Sequence, residues 1–179
     1  MKNFINFLYF VDLFKYPSNK DEILELAESK VNDKELYEIL NEFKNILMDS
    51  NGIESLQELY VRAFDLMPIF YPYLSYHVHY DSFNRNSMMI EIREIYKQNN
   101  FTLDRDLNEL PDNLFIVFKF LQQNPNYCQK FLKDYIVPAL ENFVNSASLS
   151  PSILENVYIK LLNYVIRILN VKRGEKVWK

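Results

Sequence analysis

Apolar residues recur at three- and four-residue steps along most of the chain, which is the spacing of one buried face of an α-helix. The longest uninterrupted patterns lie at the two ends of residues 36–169. The first is Leu36, Ile39, Leu40, Phe43 and Leu47, and the last is Leu154, Tyr158, Leu161, Leu162, Val165 and Leu169. The pattern predicts an all-α protein.

Polar and turn-forming residues between these stripes predict where the helices begin and end. The first helix carries Phe4 to Phe14 and ends at Tyr16-Pro17. Ser18 is expected to cap the second helix and Asn32 the third. Further on, Asn51-Gly52 is expected to end the third helix with left-handed backbone, and Ser55 with Glu58 to form a capping box for the fourth.

The second half is divided by proline. Pro111 is expected to begin a helix with Leu114, Val117, Phe118 and Leu121 on its core face, and Ser150 to cap the last one. Pro138 should kink or divide the helix that contains it. Residues 102–109 and 146–150 are expected to be loops, and the basic tail at 172–179 to fray. Residues 73–80 remain open between strand and helix, because Tyr and Val favour strands while Pro72 suits a first helical position.

Composition narrows the protein class. The 179 residues, 49% of them hydrophobic, suffice for one domain spanning 1–179. Only two Gly occur, which argues against a Gly-rich nucleotide loop. A net charge of −4 argues against a nucleic-acid partner and mildly favours a cationic one. A lone Cys128, no signal peptide and charges within the most apolar segment predict a cytoplasmic protein without stable membrane insertion.

One short stretch carries candidate chemistry. His77, His79 and Asp81 have the spacing of some hydrolase metal sites, so a small metal-dependent hydrolase is one alternative function. Against it, these two His are the only ones in the chain, and residues two apart on a helix point about 200° apart. Cys128 has no local feature that would activate a thiolate. An ion pair of Asp81 with Arg85, and a place for Asp112 in the first turn of its helix, are the structural explanations for those charges.

Four segments together resemble the NarJ-type nitrate reductase delta-subunit chaperones, in the wider group of redox-enzyme maturation proteins that includes TorD and DmsD. Residues 79–86, His-Tyr-Asp-Ser-Phe-Asn-Arg-Asn, resemble the family's His-Gly-Asp-Ser-x-x-Arg-Gly. Residues 109–114, Glu-Leu-Pro-Asp-Asn-Leu, resemble Glu-Leu-Pro-Asp-His-Leu, with Asn113 in place of His. Residues 13–17 and 60–66 resemble the family's Leu-x-Tyr-Pro and Tyr-Val-x-x-Phe-Asp segments.

The resemblance implies a helical bundle that is a chaperone and not an enzyme, with no cofactor of its own. Its partner would be the N-terminal leader-like peptide of the catalytic subunit of a molybdenum oxidoreductase, held until molybdopterin cofactor insertion is complete. It also implies that residues 73–81 are helical. The peptide-binding residues it suggests are Phe64, Tyr76, His77 and Tyr80 as aromatic walls, Asp81, Glu109 and Asp112 as acidic groups, and Arg85 and Pro111. A generic helical adaptor without a redox client is the other alternative.

Overall fold

The computed structural model describes residues 1–102, 109–146 and 150–172, and in these ranges the chain is helical, with one isolated β-bridge and no strand. This confirms the prediction of an all-α fold. The centres of the two predicted loops and nearly all of the basic tail lie outside the described residues.

The α-helices follow one another along the chain with few residues between them. They are α1 (Lys2–Phe7), α2 (Lys20–Ala27), α3 (Lys34–Met48), α4 (Gly52–Phe64), α5 (Leu74–Val78), α6 (Ser82–Gln98), α7 (Leu114–Gln123), α8 (Cys128–Phe131), α9 (Val137–Ser146), α10 (Pro151–Leu154) and α11 (Val157–Ile168). Leu8–Phe14 and Pro125–Tyr127 form 3₁₀ helices, and Leu132–Ile136 form a π-helical turn. The first predicted helix is therefore α-helical only as far as Phe7.

The described residues divide into two compact units. The first unit contains residues 1–11, 71–102, 109–146 and 169–172, and the second contains 12–70 and 150–168. In the second unit, α3 packs against α2, α4 and α11. Its core includes an aromatic cluster in which Tyr158 of α11 meets the rings of Phe43, Tyr60 and Phe64 at centroid distances of 5.2, 5.3 and 5.8 Å.

In the first unit, α5 packs against α9 and the π-helical turn. Phe4 of α1 meets Phe118 of α7 edge to face at 5.5 Å. Phe120 of α7 in turn lies 4.7 Å from Tyr96 of α6 and 5.2 Å from Phe131 of α8. These ring contacts join four helices of this unit around one apolar centre.

Most residues of the predicted apolar stripes are buried, although Leu154 is exposed and Leu169 is half-buried. Most predicted helix ends are displaced by one to three residues. All five stripe residues of α3 are buried. The cap of α2 is Asn19 and not Ser18, because the Asn19 side chain accepts from the amides of Asp21 and Glu22. Likewise Asp33, and not Asn32, caps α3 through the Leu36 amide. These two predictions were wrong by one residue.

The prediction that Asn51-Gly52 adopts left-handed backbone at the end of the third helix was wrong. Gly52 has no positive φ, and it is the first residue of α4, which begins before the predicted Ser55. Its lack of a side chain instead permits a close approach, since a Cβ there would lie 2.5 Å from the carbonyl oxygen of Leu47. The glycine lets α3 turn directly into α4.

Three further boundaries differ from the prediction. α7 begins at Leu114 and not at Pro111, because the Asn113 side chain caps it through the Phe115 amide. Ser150 precedes α10 without a capping hydrogen bond from its side chain, and the predicted last helix is divided, with Asn156 accepting from the Tyr158 amide at the start of α11. The expected division at Pro138 takes the form of the π-helical turn just before it. A proline cannot donate the usual helical hydrogen bond, and the wider turn accommodates that loss.

Candidate peptide-binding surface

A short pairing of two chain segments fixes the position of α5. Tyr73 and Asn113 form the antiparallel bridge, in which the Leu74 amide donates to the Asp112 carbonyl oxygen at 3.0 Å. The Leu114 amide donates to the Pro72 carbonyl oxygen at 2.7 Å. The beginnings of α5 and α7 are therefore tied together. The implied helix over 73–81 is confirmed only for Leu74–Val78, since Tyr73 belongs to this bridge and His79 is extended.

Asp112 serves α5 and not its own helix. It lies before the Asn113 cap of α7, so its predicted place in the first turn of that helix was wrong. Its Oδ2 accepts from the Ser75 amide at 2.9 Å, which supplies the capping hydrogen bond that no side chain of α5 provides. The residue is fully buried. The preceding Pro111 is also buried, and its carbonyl oxygen accepts from the hydroxyl of Tyr96 at 2.9 Å.

Glu109 joins the same network. Its Oε2 accepts from the hydroxyl of Tyr73 at 3.1 Å and from Nδ2 of Asn113 at 2.8 Å. Asn113 thus uses its amide nitrogen on Glu109 and its amide oxygen on the α7 terminus. Burial, and secondarily the negative charge of Asp112, raise the pKa of the neighbouring Tyr96 well above its usual value. Three of the polar residues that carry the family resemblance therefore hold α5 and α7 in place.

The exposed face beside this network is aromatic. Tyr71 and Tyr76, called here the tyrosine pair, lie with ring centroids 4.1 Å apart, although their side chains are 39% and 44% exposed. Tyr80 is fully exposed and Phe83 is 77% exposed in the segment that leads into α6. Aromatic side chains are enriched where proteins bind partners, and a contiguous apolar patch is a stronger sign of such a site than single exposed residues.

His77 holds the tyrosine pair to α5. Its Nε2 lies 2.8 Å from the carbonyl oxygen of Tyr71, so this nitrogen carries the proton and donates. Its ring also meets Phe143 of α9 at 6.0 Å, while its own carbonyl oxygen accepts from Nδ2 of Asn142. Burial lowers the pKa of His77, and the opposing effect of the Tyr71 hydrogen bond is smaller. The imidazole is therefore neutral at pH 7.

Asp81 and Arg85 do not form the expected ion pair. Asp81 caps α6, with its two carboxylate oxygens accepting from the amide and from Nδ2 of Asn84 at 2.9 and 2.8 Å. These hydrogen bonds lower the pKa of the exposed Asp81 carboxyl. The guanidinium of Arg85 instead lies over the Tyr76 ring, with Cζ 5.4 Å from the centroid. Arg85 thus extends the aromatic face with a positive charge.

The structure places the Tyr76 ring against both His77 and Arg85 and leaves Tyr80 and Asp81 exposed nearby in sequence. Phe64 belongs to the second unit, where it is buried against Tyr60 and Tyr158. Burial of Phe64, Pro111 and Asp112 favours structural roles for these three residues. Sequence reasoning missed Tyr71, Phe83 and Leu110, all exposed apolar residues. Tyr71 gave no periodic signal, because Pro72 separates it from the helix that carries its partner ring.

The described residues do not form the metal site that the hydrolase alternative requires. Among the described residues, no three His, Cys, Asp or Glu side chains are placed to hold one metal ion. Nε2 of His77 is bonded to a carbonyl oxygen and both carboxylate oxygens of Asp81 are used at the cap of α6. Cys128 is fully buried, and burial raises the pKa of its thiol, which opposes formation of a nucleophilic thiolate.

Comparison with known proteins gives one match. The family model described as nitrate reductase delta subunit matches residues 30–148. No curated protein and no solved structure matches the chain. Within the part of the chain that the structure describes, none of the helices combines the length and the hydrophobicity needed to span a membrane.

Proposed function

The chain belongs to the nitrate reductase delta-subunit family, whose members are molybdoenzyme assembly chaperones and not catalysts, and from this premise we propose that it binds the N-terminal peptide of a molybdoenzyme catalytic subunit. In this role the protein holds the peptide until molybdopterin cofactor insertion is complete. It acts in the cytoplasm, on a client whose catalytic subunit is similar to that of nitrate reductases.

The proposed position of the peptide is inferred from the tyrosine pair. Two adjacent rings, tilted by 33° and both exposed by more than a third, form an apolar platform against which one face of an amphipathic peptide helix can pack. Aromatic anchors of this kind dominate the affinity of peptide grooves, and charged residues at the rim contribute mainly orientation and association rate. Tyr76 is accordingly the anchor, and Asp81 is the rim charge for a basic residue of the leader.

The buried residues of the resemblance segments support this surface from below. Asp112 holds the amide of Ser75, and His77 holds the carbonyl of Tyr71, so the two rings are fixed from both sides of Pro72. A platform that is already ordered before the peptide arrives avoids part of the entropy cost of binding. Changes to Asp112 should therefore lower stability as well as affinity, whereas changes to Tyr76 should affect affinity alone.

Titration calorimetry with the N-terminal peptide of a nitrate reductase-like molybdoenzyme catalytic subunit tests the proposal. Tyr76→Ala should weaken binding by about 1–3 kcal/mol, the range of an aromatic hot spot. Asp81→Ala should weaken binding modestly and reduce its dependence on salt, because a screened rim charge is lost. Tyr37→Ala is the matched control, since Tyr37 of α3 is similarly exposed, at 54%, and lies in the second unit.

Urea melts of each variant separate binding from folding. Unchanged peptide affinity in Tyr76→Ala and Asp81→Ala, together with clearly lowered melts, would make both residues structural. Equal losses of affinity in Tyr76→Ala and Tyr37→Ala would remove the tyrosine pair from the binding surface.

A further inference from the structure

Arg85 has a donor without an acceptor. Its Nε is buried, and no hydrogen-bond acceptor lies within reach of that atom. The side chain as a whole is half-buried, with its guanidinium over the Tyr76 ring. A buried polar group left without a hydrogen bond costs free energy, so a group that supplies an acceptor at this point is stabilised there.

Three carboxylates of the first unit, on α6 or beside α5, have partners other than Arg85. Asp81, which caps α6 four residues before Arg85, uses both carboxylate oxygens on Asn84. Glu109 accepts from Tyr73 and Asn113. Glu91, further along α6, pairs with Lys130 at 3.0 Å. Arg85 therefore keeps its positive charge beside an exposed aromatic platform without a carboxylate partner among these three.

We propose that Arg85 receives a carboxylate of the bound peptide, so that this surface selects a segment in which an acidic side chain lies next to an aromatic or aliphatic one. The inference rests on the proposed function and deepens it by naming the chemistry of the ligand. The apolar side chain packs on the tyrosine pair, and the carboxylate lies at the guanidinium. Basic residues of the same peptide face Asp81.

The geometry of the guanidinium favours a carboxylate over a neutral hydrogen-bond acceptor such as an amide carbonyl. Arginine presents parallel N–H groups that match the two oxygens of a carboxylate, and such charge-assisted pairs are stronger than neutral hydrogen bonds. In the proposed complex the carboxylate accepts from the Nε edge of the guanidinium, which requires the Arg85 side chain to shift, because Nε is buried in the structure. The ring of Tyr76 continues to support the cation from one side, and it excludes water from that side of the pair.

The test compares two small probes that differ in one group, N-acetyl-L-phenylalanine with its carboxylate and N-acetyl-L-phenylalaninamide without it. Each is titrated into the full chain while ¹⁵N spectra follow the arginine Nε–H signals. The carboxylate probe should bind roughly tenfold more tightly than the amide, as expected for a hydrogen bond to a charged group. It should also shift the Arg85 Nε–H signal.

Variants at two arginines of α6 identify the group responsible. Arg85→Gln should remove the preference for the carboxylate, and Arg85→Lys should keep only part of it, because the charge remains and the planar fork is lost. Arg93→Gln is the matched control, since Arg93 is exposed on the same helix, and it should retain the full preference. Asp81→Asn keeps a capping side chain but removes a negative charge, so it should tighten binding of the carboxylate probe.

The outcomes separate the inference from the function on which it rests. Equal affinity for the two probes, or a preference that survives in Arg85→Gln, would overturn the carboxylate site and leave Arg85 as a stacking partner of Tyr76. If instead the preference depends on Arg85 but the leader peptide does not bind, the proposed function fails and the carboxylate site stands. Tyr76-dependent leader binding together with an Arg85-dependent preference supports both.

Discussion

Asp112 and Ser75, 37 residues apart in the chain, meet in one buried hydrogen bond at the start of α5. The first turn of a helix leaves amides without partners inside the helix, and a side chain usually satisfies one of them from the position just before the helix. Here Tyr73 occupies that position and makes no capping hydrogen bond. The carboxylate of Asp112 takes its place from a distant segment, which makes a local helix depend on a long-range contact.

Asp112→Ala should lower the free energy of unfolding by about 1–3 kcal/mol, the cost of leaving a buried amide unsatisfied. Asp112→Asn retains an acceptor oxygen, so its free energy of unfolding should fall clearly less than that of Asp112→Ala. Urea denaturation followed by circular dichroism measures both, and an alanine variant as stable as the wild type would show that water or another group satisfies Ser75.

The ionisation of His77 makes the stability of the protein depend on pH. Burial lowers the pKa of His77 in the folded protein below its usual value of 6.5. The unfolded chain therefore takes up a proton at this residue more readily than the folded one, so stability is present above pH 6.5 and falls as the pH drops below that value. Urea melts at pH 7.5, 6.5 and 5.5 should show this loss.

The chain offers its only other histidine as the control. His77→Gln keeps a neutral donor for the Tyr71 carbonyl oxygen and should flatten the loss between pH 6.5 and 5.5. His79→Gln should retain it. The reverse assignment, with the loss removed by His79→Gln alone, would contradict the lowered pKa of His77.

At the scale of the elements, the junction of α3 and α4 depends on the absence of a side chain at Gly52. α3 ends at Met48 and α4 begins at Gly52. Any Cβ at position 52 would press on the backbone of Leu47, and backbone moves less easily than the end of a flexible side chain. The two helices pack against each other, so a shift at the junction is transmitted to their shared face.

Gly52→Ala should therefore destabilise the protein by about 1–3 kcal/mol, the usual cost of forcing extra atoms into a packed site. This sign is informative, because alanine within a helix normally improves on glycine. Ser55→Ala, in the next residues of the same helix, serves as the control and should be neutral or slightly stabilising. A stabilising Gly52→Ala would mean that the junction relaxes at little cost.

The elements also show which features the sequence predicts and which it cannot. The apolar stripes of α3, α7 and α11 are predicted well, because burial of one helix face imposes a local period. The caps Asn19 and Asp33 were missed by one residue, since several neighbouring polar side chains can cap and only backbone geometry selects among them. Asp112 and Tyr71 were misjudged for a different reason: their partners lie across the β-bridge or beyond a proline, where periodicity carries no information.

At the scale of the whole molecule, neither unit is one continuous stretch of chain. The second unit takes residues 12–70 and completes its core with α11, which comes about 90 residues later in the sequence. α11 packs against both α3 and α4, and Tyr158 is central to the aromatic cluster. Helices α2 to α4 without α11 would expose the apolar faces that this helix covers.

A fragment of residues 12–70 should consequently show little helix alone and should gain helix when a synthetic peptide of residues 150–168 is added. Circular dichroism across a titration measures the gain. The same peptide with Tyr158→Ala and Leu161→Ala, both fully or almost fully buried positions, should give a much smaller gain. A fragment that is as helical alone as with the peptide would show that α2 to α4 form an independent folding unit.

Hydrogen exchange near the β-bridge between Tyr73 and Asn113 should report how long the surface supported by this bridge stays assembled. A helix of five residues is too short to persist by itself, and its backbone protons would ordinarily exchange with deuterium almost as fast as those of an unstructured peptide. The amide protons of Leu74 and Ser75 are bonded to Asp112 and not to other residues of α5. Their exchange lifetimes therefore record how long residues 110–114 stay joined to the start of this helix, and so how long the tyrosine pair remains assembled between successive openings.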